Sequence, residues 1–495
     1  MAPLKAAAAA STGTLPLPEY EQLDAVALAS ALREGRWTAL EALEAAIARA
    51  EARNHLNAIA LRHFELARET AQQMARMGKA ERAALAKTVP LAGVPFALKD
   101  LGVAMKGTIT TQGSAFFKDA VEDHDSTLVQ RYRAAGLNIF AKTTTPEFGQ
   151  TATTESRLFG QTRNPWNTAY SSGGSSGGAA AAVAAGILPV AHASDGGGSI
   201  RIPASHCGLF GLKPSRGLVP LGPKRLESWL GLSTHHVISR SVRDSAWLLQ
   251  LAQGREAGSR TNPQPGAPLE AIARPPRRLR IALMDVNPFG QPLHPDCLNA
   301  VRAAARLCES LGHNLEIAAP KLAIGDMFNS MGVVTGAGML ATVSAREKEL
   351  GRAAREDEFE PINWRNLQLA RGYKAEQVLV ARNVFDQAAR VLDLFLDEYD
   401  LILSPVTAAP PPLLGALSLD QPYENFAKGA MTGPPFTAMF NMSGHPAMSV
   451  PLHWNAAGLP IGVQFAAPFG DEATLLALAA QLEQAAPWKD RRPVL

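Results

Sequence analysis

The sequence predicts an α/β fold. Helical and strand-like apolar periods alternate along the chain, which is the pattern of strands covered by helices. Of the 495 residues, 46% are hydrophobic and only 19% charged, the balance of a chain that buries a large core. Short apolar runs rich in strand formers are bounded by Pro, Gly or Asn, as strands between turns are.

Residues 1–16 hold one lysine and the alanine run Ala6 to Ala10 but no Leu-rich secretory segment, and are expected to be a disordered tail. Residues 17–495 are expected to form one domain, with helices at its N-terminus and a variable substrate-site insertion around 220–400. From Tyr20 to about Met77 the spacing predicts helix, with Leu23, Val26 and Leu28, then Leu40, Leu43 and Ile47, on apolar faces. Thr38 followed by Glu41 is a capping-box start. Pro90 to Leu98 reads as a strand, Asp125 to Ala135 as a helix, and the apolar segment after Gly136 as another strand. Later strands are predicted at Ile281 to Val286, Leu401 to Ser404, Met448 to Leu452 and Ile461 to Phe465. Long helices are predicted at Pro295 to Leu311, Ala375 to Glu398 and Glu472 to Ala485. Gly254 to Pro276, rich in Pro, Gly and charge, reads as a surface excursion inside the domain.

Forty-eight basic against 45 acidic residues give a formal charge of +3, too weak a field over this length to indicate nucleic acid or an anionic membrane as partner. Cys207, Cys297 and Cys308 are too few for a disulfide framework and include no Cys-x-x-Cys pair, which points to a reducing compartment and no structural metal. No stretch of about 18 apolar residues lacks charges or turn formers, so no transmembrane helix is expected and the cytoplasm is the default location.

Three segments could carry chemistry. Ser171 to Gly178 is a run of Ser and Gly leading into Ala179 to Ala185, so a small-residue loop feeds a helix N-terminus, where free N–H groups favour an anion or an activated hydroxyl. Within it Gly173-Gly174-Ser175-Ser176-Gly177 matches the nucleophile elbow of α/β-hydrolases, with His445 or His453 available as the base, although Tyr170-Ser171-Ser172 is poor as the buried strand an elbow requires. Second, Gly196-Gly197-Gly198 before Ser199 lets backbone N–H groups converge as an oxyanion hole demands; equally, the segment fits a tight turn with Asp195 and Arg201 paired at the surface. Third, Lys99 ends the apolar run Gly93 to Leu98. Buried, it would lose its charge and become a base near pH 7; taken alone it fits a snorkelling surface lysine. The adjacent His235 and His236 have no carboxylate nearby in sequence and read as loop residues.

Together these segments resemble the amidase signature family of Ser, cis-Ser, Lys amidohydrolases. The resemblance rests on Lys99-Asp100, Lys142 to Gly149, Thr162-Arg163-Asn164-Pro165-Trp166, Gly173 to Gly178, Asp195 to Pro203, Gly208 to Pro214, Gly444-His445-Pro446-Ala447 and Gly458 to Gln464, spread from about residue 20 to 486. It implies a central mixed, twisted sheet covered by helices on both faces. It also implies acylation at Ser199, Ser175 as the bridging serine of a cis peptide, Lys99 as base, and Gly149, Gly196, Gly197 and Gly198 around the substrate. No metal or organic cofactor is implied. The partner is then a small-molecule amide, not nucleic acid or membrane, with a homodimer left open, and Asp195 and Arg201 hold the glycine loop in shape. Where the family usually shows Thr-Asp-Thr-Gly-Gly-Ser, this chain has Ser194-Asp195-Gly196-Gly197-Gly198-Ser199, which implies a wider acyl site.

Within the family the look is that of 6-aminohexanoate-cyclic-dimer hydrolases and aryl acylamidases, implying small, fairly apolar amides, with esters or carbamates also open. The pocket walls suggested are Met327 to Met331 and Trp229, although core packing suits most of them as well. A glutamine-amidotransferase A-type subunit working in a complex is the alternative within the family; Thr145-Pro146, Ile202 and His235 to Ile238 depart from its usual residues. The elbow esterase using Ser175 and a non-enzymatic scaffold are the alternatives outside it.

Overall fold

A computed structural model describes residues 17–77, 81, 89–430 and 435–495; the tail expected at 1–16 lies outside them. The Ala25–Glu34 helix starts at Asp24, whose carboxylate accepts from Ala27 N at 2.8 Å. The Ala39–Ala52 helix starts with the expected box, Glu41 N donating to Thr38 Oγ1 at 3.1 Å and Thr38 N to Glu41 Oε2 at 2.7 Å. The stretch from Tyr20 to Met77 is not helical throughout. Strand β1 (Ile59–Arg62) separates Ala39–Ala52 from the Phe64–Ala75 helix. Four residues are too few to show a period, and the strand exists because it pairs with a segment far along the chain.

That partner belongs to a three-stranded sheet. β2 (Pro95–Lys99) and β3 (Asn138–Thr143) are parallel, β1 and β3 antiparallel, in the order β1-β3-β2. Two small antiparallel ribbons follow, β4 (Glu155–Ser156) with β5 (Gly160–Gln161) and β6 (Arg163–Asn164) with β7 (Asn167–Ser171).

The main sheet uses β8 (Val190–Asp195), β9 (Phe210–Lys213), β10 (Thr234–Ser239), β11 (Arg280–Leu283), β12 (Asn314–Ile317), β13 (Leu401–Pro405), β14 (Ala447–Trp454) and β15 (Pro460–Ala466). Their spatial order is β12-β11-β13-β15-β14-β9-β10-β8. β11 runs parallel to β12 and β13, and the other neighbours are antiparallel, so the sheet is mixed, as expected. β9, β13 and β15 are buried along their whole length, which requires cover on both faces. Helices Arg201–Cys207, Val242–Ala252, Pro295–Ser310 and Glu472–Ala485 supply much of it. Residues 220–400 contribute β10, β11 and β12 to this sheet as well as helices.

The longest helix, Ile324–Leu350, has no counterpart among the predicted elements. Four glycines and several β-branched residues weaken its helical signature. At least one of those glycines serves packing: a Cβ on Gly338 would lie 2.4 Å from Trp229 Cδ1. The helix packs on Pro361–Arg371 and Ala375–Leu396 and, with the latter, buries Met327, Val334, Phe385 and Leu392 in a second apolar cluster beside the main core.

β2 ends the small sheet and β8 ends the large one. They meet without pairing as strands: the backbone N–H of Lys99 donates instead to Nδ1 of His192, at 3.1 Å. The two sheets therefore abut along a seam with an imidazole in it.

Thr38→Ala removes one side of the capping box and should lower unfolding free energy by about 1 kcal/mol, read as a shift in the urea midpoint at unchanged slope; an unchanged midpoint would show that burial of Leu43 and Ile47 alone fixes where this helix begins.

Candidate active site

A cavity of about 470 Å³ opens at one end of the seam, lined by Gly149, Ser175, Gly196, Gly197 and Ser199 among others. Lys99 lies behind Ser175, wholly buried, with Nζ 2.7 Å from Ser175 Oγ and 3.1 Å from Ser194 Oγ. The surface-lysine alternative is thereby excluded. Burial pushes the Lys99 ammonium down to about 7, against a smaller opposing pull from Asp195. His192 and Ser194 both reach Lys99 because side chains two apart on a strand share a face, and β8 presents that face to β2.

Ser175 sits between β7 and the Gly177–Ala184 helix, and the Gly174–Ser175 peptide is cis. The loop is packed tightly: a Cβ on Gly174 would lie 2.3 Å from the Thr153 carbonyl oxygen, and one on Gly178 2.4 Å from Thr144 N. Gly149 has φ +69°, and a Cβ there would stand 3.0 Å from Ser175 Oγ and 2.7 Å from Leu101 Cδ2, so only glycine leaves Ser175 its space.

Ser199 stands on the turn between Asp195 and Arg201. Those two form the expected pair, but it is buried and not at the surface: both side chains are 0% exposed. Arg201 Nε and Nη2 donate to the two Asp195 carboxylate oxygens, each at 2.9 Å, while its remaining N–H groups reach Thr437 O, Gln464 Oε1 and Asn441 Oδ1. Burial by itself would raise the Asp195 carboxyl, but the Arg201 guanidinium holds it well below the usual carboxylate range. Asp195 in turn accepts from Gly198 N at 2.7 Å and Ile200 N at 3.2 Å. The amide of Gly198, one of those expected to face an oxyanion, therefore fixes the turn instead. The glycines also make room for neighbours. Cβ atoms on Gly196, Gly197 and Gly198 would lie 2.7, 2.7 and 2.4 Å from Trp229, Met331 and Thr437 respectively.

Of the residues suggested for the walls, Trp229, Phe328 and Met331 line the cavity. Met327 and Ser330 are buried and do not belong to the lining, and Asn329 is exposed. His235 and His236 are not loop residues; both are buried on β10. His236 Nε2 lies 2.8 Å from Ser245 Oγ, whereas His235 lines the cavity. His445 and His453, the bases an elbow mechanism would use, are absent from the lining among the described residues. Sequence reasoning gave no role to Ser194 and Gln464, although both lie in the quoted motifs, and did not single out Thr437 or Asn441. Strand alternation could have assigned Ser194, but Thr437, Asn441 and Gln464 meet Arg201 from more than 200 residues away.

The Amidase family model matches residues 41–476. The chain belongs to the amidase family. It is a hydrolase acting on carbon–nitrogen bonds of amides. The 6-aminohexanoate-cyclic-dimer hydrolase of Paenarthrobacter ureafaciens is 37% identical over 491 residues, which is 95% of this chain and 96% of that protein. Among solved structures, that of a 6-aminohexanoate cyclic dimer hydrolase superposes with a TM-score of 0.87 at 36% identity, covering 96% of this chain and 99% of the other. A bacterial aryl acylamidase of the amidase signature enzymes superposes at 0.84 with 26% identity, covering 96% and 99%. Among the described residues no helix is long and apolar enough to cross a membrane.

Asp195→Ala would strand the Arg201 guanidinium without its carboxylate in the amidase core, at a cost of about 3–5 kcal/mol. Chemical denaturation should show a loss of that size; a loss under about 1 kcal/mol would mean that water replaces the carboxylate and the pair does not hold the turn.

Proposed function

We propose that the chain hydrolyses small, fairly apolar amides through an acyl-enzyme on Ser199, with Ser175 as proton relay and Lys99 as base. The observation that carries this reading is the 2.7 Å contact between Ser175 Oγ and a Lys99 amine buried among serines. A lysine whose pKa is pushed to about 7 is substantially neutral at pH 7.5 and can take a proton from Ser175, which takes one from Ser199 as that oxygen attacks the amide carbon. Returned along the same path, the proton leaves with the amine, and water then cleaves the acyl-enzyme by the same relay. The tetrahedral oxygen lies by the amides of Gly196, Gly197 and Ser199, on a turn pre-set by Asp195; aiming donors before the reaction avoids reorganisation during it. Every step runs on side chains and backbone of the chain itself.

The substrate class is supported by the apolar walls Trp229, Phe328 and Met331 and by the cyclic-dimer hydrolase and aryl acylamidase relatives. Aryl amides, linear oligoamides and the 6-aminohexanoate cyclic dimer itself are the first compounds to assay, with esters and carbamates next because acyl transfer to serine accommodates them. The elbow esterase is disfavoured because its candidate histidines do not line the cavity. The amidotransferase subunit is disfavoured by the departures at Thr145-Pro146, Ile202 and His235.

A serine-directed fluorophosphonate should label Ser199, as located by peptide mass mapping, and labelling should vanish in Ser199→Ala and fall at least about 100-fold in rate in Lys99→Ala. An adduct on Ser175 that survives Lys99→Ala would restore the elbow reading. Because the base is active only when neutral, log kcat/KM should climb with pH below about 7 and level off above it. A profile flat from pH 5 to 9 would remove Lys99 from the role. Lys99→Met should be inactive yet melt within a few degrees of the native protein, since methionine fills a buried lysine's volume without a charge to desolvate; collapse of the fold would instead make Lys99 a structural residue.

A further inference from the structure

The imidazole in the seam between the two sheets is the first link of a chain that ends in the cavity. A backbone N–H can only donate, so His192 Nδ1, 3.1 Å from Lys99 N, is an acceptor. Burial, with His235 and Lys99 as further causes, keeps the His192 ring well below its usual pKa and therefore neutral. A neutral imidazole carries one proton, and here it must be on Nε2. That atom lies 3.0 Å from His235 Nδ1, with the rings stacked at 17°. His192 therefore donates, and His235 Nδ1 accepts. His235 is neutral for the same reasons, burial first and Lys99 second, so its own proton is forced onto Nε2. That nitrogen has no hydrogen-bond partner among the described residues, while His235 lines the cavity. The ring edge lies over Gly102, where a Cβ would come within 2.8 Å of Cε1 and 3.3 Å of Nε2.

We propose that His235 is a specificity-determining residue, its Nε2–H held as an obligatory donor by the Lys99–His192–His235 chain and presented to a second carbonyl oxygen of the substrate, away from the scissile amide. This rests on the reading of the cavity as the amidase site and narrows it. The preferred compound carries two carbonyls on a short aliphatic spacer, as any oligoamide does. A compound placing an ammonium at the same position is rejected, because donor would face donor. Donor and acceptor cannot exchange roles without protonating a buried ring or breaking the bond to the Lys99 backbone, and that bond lies on the strand that carries the catalytic amine.

The test uses the full-length protein and a set of p-nitroanilides, hexanoyl and its oxo analogues with one ketone at each interior carbon of the chain. The native protein should bind at least one oxohexanoyl anilide with KM roughly tenfold below that of the hexanoyl anilide, the size expected of one good hydrogen bond. In His235→Phe that ratio should fall to about one, and in His235→Gln, which keeps an N–H donor, it should partly return. A merely structural role would lower kcat across the whole set and leave the ratio intact, and that result overturns the inference. So does cleavage of all the anilides by the native protein with no preference among them. Cleavage of none of them, together with no fluorophosphonate adduct on Ser199, would instead fell the amidase reading and this inference with it. Should the variants fail to fold, nitrogen-15 spectra of histidine-labelled native protein decide the matter. Both rings should be neutral with protonated Nε2 at pH 7.5, and a His235 ring carrying its proton on Nδ1 overturns the proposal.

Discussion

Burial of the Lys99 amine at the meeting edge of two sheets constrains everything around it. In water an ammonium is stabilised by its hydration; here its hydrogen-bond partners are the hydroxyls of Ser175 and Ser194, which solvate a neutral amine well and a cation poorly. The chain tolerates this because β2 and β8 are each last in their sheets, so their facing sides can carry polar groups without interrupting a ladder. Had β2 continued the large sheet, backbone pairing would have filled the gap that His192 now occupies. The seam is therefore both a break in the sheet and the means by which the Lys99 amine is buried and its pKa lowered.

A second buried charge system secures the other half of the site. Asp195 and Arg201 neutralise each other, and every donor of the guanidinium that the turn needs is bonded, to Asp195, Thr437, Asn441 and Gln464. An ion pair of this kind contributes little net stability compared with apolar packing. It contributes geometry: Asp195 reaches back to the amides of Gly198 and Ile200 and so sets the curvature of the turn that carries Ser199. The two systems divide the labour, one lowering a pKa and the other holding a loop. They sit on the same strand, β8, whose alternating faces give Ser194 to the lysine and Asp195 to the arginine.

The walls of the cavity come from parts of the chain with no role in either system. Trp229, itself at φ +53°, lies between the glycine turn and Gly338 of the Ile324–Leu350 helix, and Met331 of that helix lies over Gly197. The glycines of the turn thus face neighbours as much as substrate. A helix that reads weakly because of its own glycines is the one that approaches close enough to shape the cavity.

Much of this was legible in the sequence. The apolar periods located β2, β3, β13, β14, β15 and the helices at Pro295–Ser310, Ala375–Leu396 and Glu472–Ala485, because each is long enough or apolar enough to show its own period. The Gly-Ser run, the triple glycine and the lysine ending an apolar strand marked three chemical positions, since such compositions are costly without a purpose. β1, with four residues and a distant partner, and the glycine-bearing helix at Ile324–Leu350 were not legible, because pairing and packing, not local preference, stabilise them. Sequence by itself determined which residues could do chemistry and that the family is the amidases. Whether Lys99 is buried or snorkels, whether Asp195 and Arg201 meet inside or at the surface, and whether His235 sits in a loop or on a buried strand were decided only by the tertiary structure, for one physical reason: pKa and ion-pair strength depend on what surrounds a group in space, and the surrounding groups come from strands and helices hundreds of residues apart.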